Sequence, residues 1–402
     1  MKHIKYTTSV CPQCLKHLKA EVMEGPTGIF LVRTCPEHGA FNNIVEKDIN
    51  FYKAAANINK ERFTREADWL VLPITDRCNQ NCKFCFYPKG RNKDLSLQQI
   101  IEIAKKAPPV ICLSGGEPTL HPDLPEIITR LKSMGKKVQV LTNGLRLADL
   151  ELVKTLKAAG LRSVLFSLNG FSDHILEQID NAPCFEQKMK AVENLKLQKI
   201  QIELSISLLR GVNEGELKKA LEFCLQNSAH VFGLRVRAFA QTGRSQNTST
   251  LTMGEMVTLL SDALGVKKEK LTNGIKTRKI SSALMYCAEL CFFDSVKSSL
   301  FLTDLDLYFS GLMKKRFLRM VAVVLKIFYT RGPIIFVKVL FDILLGRGKI
   351  SWLVIKMFSW PDRYCLDLQE INSTGGTHLN SKNEIGNFQE VLILDNTERI
   401  VY

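Results

Sequence analysis

Six apolar runs punctuate the middle of the chain between Trp69 and about Gly243: WLVLPIT, PVICLSGG, KVQVLTNG, SVLFSLNG, IELSISLL and VFGLRVRAF. They are short, rich in aliphatic and β-branched residues, and bounded by Gly, Asn or Pro, as expected of strands covered on both faces. The segments between them carry helical periodicity, for example LPEIITRLKSMG and LADLELVKTLKAAG, the second closing on Gly160 as a helix stop. Repeated strand–helix alternation predicts an α/β fold, a parallel sheet wound into a partial or full barrel. In such sheets ligands sit at the carboxyl ends of the strands.

The flanks read differently. Residues 1–60 form a short cysteine-marked unit, residues 66–250 carry the alternating core, and residues 251–402 lose the pattern. Residues 300–360 are apolar, basic and expected to be helical, which predicts a helical C-terminal cap. The last forty residues are polar and end in a strand-like run, EVLILDN. No internal repeat appears beyond the strand–helix unit.

Composition changes this picture in two ways. The 402 residues carry a formal charge of +15, which points to an anionic partner or simply a solvated basic surface. Twelve cysteines in a chain whose N-terminus shows no export signal favour metal ligation over disulfides and a cytoplasmic location. No stretch reaches the roughly 18 unbroken apolar residues of a spanning helix.

The chemistry concentrates just after the first strand. In DRCNQNCKFCFYP, Cys78, Cys82 and Cys85 place three thiolates on one loop. Such a loop can ligate three irons of a cubane cluster and leave the fourth open to a chelating ligand. The alternatives are a zinc loop or three core cysteines. Phe84 is placed to shield a cluster from water. At the end of the second strand, LSGGEPTL supplies Gly115 and Gly116, which let backbone approach a ligand, with Glu117 to meet a positive group and Pro118 to stiffen the exit.

These two motifs together resemble the radical S-adenosylmethionine (SAM) superfamily, whose core is a partial (β/α)6 barrel; the resemblance spans about Trp69 to Arg244. It implies that Cys78, Cys82 and Cys85 hold a [4Fe–4S] cluster and that Gly115, Gly116 and Glu117 meet SAM. It implies further contacts from later strand ends: Thr142, Asn143 and Gly144 of TNG, Ser167 and Asn169 of SLNG, and Ser205, Ser207 and Arg210 of SISLLRGVNEGE. Asn169 stands where the family commonly has Asp. The implied reaction is reductive cleavage of SAM followed by hydrogen abstraction from a substrate C–H bond, with an electron donor such as ferredoxin or flavodoxin.

At the N-terminus, Cys11-Pro-Gln-Cys14 and Cys35-Pro-Glu-His38-Gly39 form two knuckles that together make a four-ligand tetrahedral site for zinc or mononuclear iron. This pair ahead of the core is similar to tetraether lipid synthase and to pterin methyltransferase-like radical SAM proteins. Beyond the core, Cys287 and Cys291 fall one helical turn apart if helical, and with Cys365 are candidate ligands of an auxiliary iron–sulfur cluster. Lys314 to Lys356 contains ten Lys or Arg and one acid, Asp342, among aromatic and aliphatic residues. It reads as a peripheral contact with anionic membrane or a tunnel for an apolar chain, or as an ordinary lid. Lipid-chain modification or coupling is therefore the favoured expectation. A soluble pterin-like or peptide substrate, and a non-catalytic metal-binding scaffold, are the alternatives. No RNA module or Arg-rich tract supports nucleic-acid binding.

Overall fold

A computed structural model describes residues 1–11, 13–14, 16–58, 69–85, 94–239, 250–269 and 271, then 276–280, 283–295, 298–301, 337, 340, 348–359, 377–379 and 385–387. The first four strands, β1 (Lys2–Val10), β2 (His17–Gly25), β3 (Gly28–Cys35) and β4 (Gly39–Glu46), make an antiparallel meander in sequence order. Strand pairing brings the β1–β2 and β3–β4 turns to the same end of this sheet, and each turn carries one cysteine knuckle. Helix α1 (Ile49–Ile58) follows, and its Phe51 is buried in the core of the next unit.

The six apolar runs are the six strands β5 (Trp69–Thr75), β6 (Val110–Gly115), β7 (Lys137–Thr142), β8 (Ser163–Ser167), β9 (Gln201–Leu208) and β10 (Val231–Ala238). Each is parallel to the next in sequence order, so every crossover steps one strand in the same direction. That order builds an open (β/α)6 barrel instead of a doubly wound sheet. The crossovers are α2 (Leu97–Lys106), α3 (Leu124–Ser133), α4 (Leu150–Ala158), α5 (Asp173–Ile179) with α6 (Phe185–Leu197), and α7 (Glu216–Gln226). Local signals start and stop them: Ser96 and Gln99 form a reciprocal capping box on α2, and α4 is followed by left-handed Gly160.

Alternate strand residues face the helices. Leu72, Leu113, Val140, Phe166, Leu204 and Val236 pack there against Ile103, Ile127, Leu156, Leu195 and Leu221. Helix α8 (Met253–Leu264) joins the same core through Met256 and Leu260, so the packed unit continues past residue 250.

Beyond α8, the described residues of 276–301 and 348–359 are strands where the sequence predicts helices. Strands β11 (Lys276–Ile280), β12 (Ala283–Ser295), β13 (Ser298–Phe301) and β14 (Gly348–Ser359) extend the sheet beyond β10, with β14 parallel to β10 and antiparallel to β12. Short strands β15 (Thr377–Leu379) and β16 (Ile385–Asn387) lie beyond β5. KISWLVIKMF supports either reading by composition. Its β-branched and aromatic residues favour a strand once β10 offers an edge, and Ile355 and Met357 are buried in the barrel core. Cys287 and Cys291 therefore lie on a strand, opposite Lys356 and Trp352, and the helical-turn spacing does not apply to them. Cys365, EVLILDN and most of residues 314–347 lie outside the described residues. Among the described residues no helix is long and apolar enough to cross a membrane.

The N-terminal sheet is docked on the barrel by charge. Glu46 at the end of β4 is fully buried and accepts the Gly254 N–H at 2.8 Å and the Asp48 N–H at 3.1 Å. Lys47 pairs with Glu255 at 3.0 Å, and Asp48 pairs with Lys268.

Candidate functional site

The cysteine loop leaves β5 at Thr75, whose hydroxyl donates to Asp94 at 2.6 Å and accepts the Arg77 N–H at 3.1 Å. Cys78 is exposed, Cys82 and Cys85 are half-buried, and none is in a disulfide. Three neighbours fix the loop. Lys83 donates its N–H to the Ile179 carbonyl at 3.0 Å, and Asn143 donates to Asn79 at 2.8 Å. Phe84 stacks edge-on against Phe239, just beyond β10, with centroids 4.8 Å apart. Phe84 thus ties the loop of the first barrel strand to the end of the sixth, a closure the sequence did not announce.

The loop suits a multi-iron cluster. Its three thiols sit close enough together that Cys85 and Cys78 act electrostatically on Cys82, and three thiolates so placed can ligate three irons of a cubane. Burial first, then the charge of Asp180 and the neighbouring Cys85, pushes the Cys82 thiol up. A thiolate there needs a cationic metal beside it. Cys78, Cys82 and Cys85 are the residues that would hold a [4Fe–4S] cluster.

The glycines at the end of β6 have a reason visible in the backbone. A Cβ on Gly115, at φ +132°, would meet the Thr75 carbonyl at 2.2 Å, and one on Gly116 would meet the Arg77 carbonyl at 2.2 Å. In their place run two hydrogen bonds, Gly116 N–H to Thr75 O at 2.8 Å and Glu117 N–H to Arg77 O at 2.7 Å. The close approach is thus to the root of the cysteine loop.

Glu117 is 1% exposed, and its carboxylate faces inward. One oxygen accepts from Thr119 N at 3.1 Å, Thr119 Oγ1 at 2.6 Å and Thr142 Oγ1 at 2.7 Å; the other accepts from Asn143 N at 2.7 Å. Burial raises this carboxyl, while the hydrogen bonds from Thr119, Asn143 and Thr142 oppose the shift. Glu117, Thr142 and Asn143 are therefore brought together, with Glu117 as the knot joining the exits of β6 and β7.

The later residues split into two groups. Asn169 is buried, donates to Asp180 Oδ1 at 2.8 Å and accepts the Ser207 N–H at 2.9 Å, so both ends of its amide are engaged. Ser167 and Ser205 are register partners, and the Ser205 hydroxyl accepts from Arg237 at 3.1 Å. Arg210 goes elsewhere: its guanidinium reaches Glu255 at 2.5 Å and the Thr250 carbonyl at 3.0 Å, at the head of α8.

Sequence reading missed two features. On the sheet face turned away from the helices, Gln139 donates to Glu203 at 3.2 Å and Arg235 donates to the same carboxylate at 3.1 Å. The signal was the polar alternation in IELSISLL and LRVRA. Lys188 is also fully buried, donating to the carbonyls of Asn143 at 3.1 Å and Ser167 at 2.9 Å. It shares the helical face of Ala191, Val192 and Leu195, which could have marked it as inward.

The N-terminal quartet converges. Cys11 Sγ lies 3.6 Å and Cys35 Sγ 3.5 Å from His38 Nδ1, and Cys14 Sγ is 3.8 Å from Cys35 Sγ. A tetrahedral ion about 2.3 Å from sulfur and about 2.0–2.1 Å from nitrogen sets S···S near about 3.8 Å and S···N near about 3.6 Å. Those separations fit a single ion, with His38 ligating through Nδ1. Gly39, at φ +78°, reverses the second knuckle. Burial opposes thiolate formation at Cys11, yet the N–H groups of Cys14 and Gln13 and the Cys14 and Cys35 side chains bring it to about 6. Zinc and mononuclear iron both suit this donor set.

Residues 72–224 match the family described as the Radical SAM superfamily, and residues 3–47 match the HMPTM N-terminal zinc ribbon domain. The chain is 30% identical over 280 residues to a 7,8-dihydro-6-hydroxymethylpterin dimethyltransferase of Methanocaldococcus jannaschii, covering 61% of this chain and 55% of that protein. It is 31% identical over 197 residues to a GTP 3′,8-cyclase of Limosilactobacillus fermentum, covering 46% and 58%. Streptococcus suis SuiB bound to precursor peptide SuiA aligns at a TM-score of 0.44 and 16% identity, covering 54% of this chain and 49% of that one. The chain thus spans little more than half the length of the curated relatives it matches. Residues 72–224 thus form a radical SAM domain, of a superfamily whose members use a [4Fe–4S] cluster and SAM.

Proposed function

We propose that the chain cleaves SAM at a cluster held by Cys78, Cys82 and Cys85 and acts on a C–H bond of a polar, soluble nitrogen heterocycle of pterin type. The cofactors, when bound, supply one-electron cleavage of the sulfonium and a hydrogen-abstracting species. The protein's part is to position them, exclude water and present the substrate carbon. Glu117, Thr142 and Asn143 set the backbone edge that SAM meets, while Asn169 with Ser207 holds the β8 and β9 exits in register.

The observation that carries the substrate class is the inward face of the sheet. Gln139, Glu203, Ser205, Arg235 and Arg237 line it with donors and acceptors. These groups are paired with one another, and an apolar chain there would strip their remaining water while offering no hydrogen bond in return. A heterocycle with N–H and carbonyl edges meets them with hydrogen bonds. The stretch shared with the archaeal pterin dimethyltransferase supports the same class. The lipid reading draws on Lys314–Lys356, most of which lies outside the described residues.

The test is release of 5′-deoxyadenosine by the anaerobically reconstituted chain with SAM and reductant, with a reduced pterin, with a lipid extract, or with neither. Stimulation by the pterin and a mass-shifted pterin product are expected. Stimulation by the lipid extract alone would overturn the substrate class.

A further inference from the structure

We infer that Asp180 and Lys188 are positioning residues whose buried charges set the reduction potential of the cluster on the cysteine loop, an inference that rests on the reading of that loop given above. Lys188 Nζ is 3.2 Å from Asp180 Oδ2, and the two side chains are 0% and 2% exposed. The remaining Lys188 protons are held by the carbonyls of Asn143 and Ser167, at the exits of β7 and β8. Asp180 caps the end of α5, with Oδ1 held by Asn169. Beyond the lysine, Oδ2 has no hydrogen-bond partner among the described residues.

This pair sits beneath the cysteine loop. The Lys83 N–H is bonded to the carbonyl of Ile179, the residue before Asp180, which places the loop directly on the end of α5. Gln80 brings its oxygen to 3.7 Å from Cys82 Sγ and its nitrogen to 3.6 Å from Cys184 Sγ, in the α5–α6 connection. Buried charges are weakly screened, so each acts on a nearby metal centre more strongly than a surface charge does.

Reduction adds one electron to a cluster and makes it more negative. A fixed anion nearby opposes that change and a fixed cation assists it. Neutralising Asp180 should therefore raise the potential, and neutralising Lys188 should lower it. A purely structural role, loosening the loop, gives no reason for the two shifts to differ in sign.

The experiment is a dye-mediated reductive titration of the full-length reconstituted protein, followed by electron paramagnetic resonance without SAM. Wild type, Asp180→Asn, Lys188→Gln and the double variant would be compared, with circular dichroism and iron content confirming folding and loading. Asp180→Asn is close to isosteric and keeps the acceptor for Asn169. The expected result is an upward shift for Asp180→Asn, a downward shift for Lys188→Gln, and a potential near wild type for the double variant. The inference is overturned if both single variants shift the same way, if neither shifts, or if the double variant is displaced as far as the singles. If a single variant does not load, a double variant displaced from wild type overturns it as well. Absence of any cluster in the wild type would instead overturn the reading of Cys78, Cys82 and Cys85 on which it rests.

Discussion

Replacing Glu117 by Gln separates a carboxylate that organises the strand ends from one that binds a ligand. The change keeps the shape and removes one acceptor oxygen from a group that receives four hydrogen bonds. With the amide oxygen turned toward Thr119 and Thr142, the NH2 group faces the Asn143 N–H, donor against donor. The lost charge-assisted bond is worth about 1.5–3 kcal/mol, and the stranded buried N–H about 1–3 kcal/mol. Removing a buried charge that burial already disfavours returns part of this. The net expectation is a loss of about 2–4 kcal/mol in urea unfolding, with SAM binding weakened through displacement of the glycine segment. Glu117→Ala should cost more, since it adds a cavity. If Glu117→Gln unfolds within about 0.5 kcal/mol of wild type yet no longer binds SAM, the carboxylate acts on the ligand and the positioning argument is wrong.

Replacing Cys78, Cys82 and Cys85 together by Ala should abolish the visible iron–sulfur absorbance and 5′-deoxyadenosine formation, while about one metal ion per chain remains at the N-terminus; elemental analysis decides this. Replacing Cys11 and Cys35 by Ser should remove that ion and leave the loop cluster loaded, and loss of both metals would refute independent sites. At the docking joint, burial would raise the Glu255 carboxyl, but Arg210, the Thr252 N–H and Lys47 hold it below the ordinary 4.5. A depressed folded value means stabilisation present above about pH 4.5 and lost as pH falls through that folded value. Unfolding free energies measured from about pH 6 to pH 3 should therefore fall less steeply for Glu255→Gln than for wild type.

The barrel was legible because strands covered on both faces leave continuous apolar runs, and six of these mark six strands. The ribbon was legible because each knuckle is local and carries two ligands. What sequence could not convey was pairing across distance. KISWLVIKMF reads as an amphipathic helix until the β10 edge is present to receive it. Asn169 and Arg210 occupy strand-end positions that suggest a ligand, but the partners engaging them, Asp180, Ser207 and Glu255, are 11 to 45 residues away. Lys188 gave no signal by residue type, because lysine is usually solvated, and only its place on the Ala191–Val192–Leu195 face argued otherwise.

The burial of Glu46 makes the ribbon a poor modular cassette. Its carboxylate bonds the Gly254 N–H at the head of a helix that belongs to the barrel core, and Phe51 fills that same core. Cutting the chain near residue 60 would leave each piece with an open wound: a ribbon ending in a carboxylate without its helix, and a barrel with an aromatic socket empty. Swapping ribbons between related proteins should succeed only when the receiving helix is carried along. Residues 46–51 and the stretch around residues 252–268 are accordingly one structural joint, its halves separated in sequence by the whole length of the barrel.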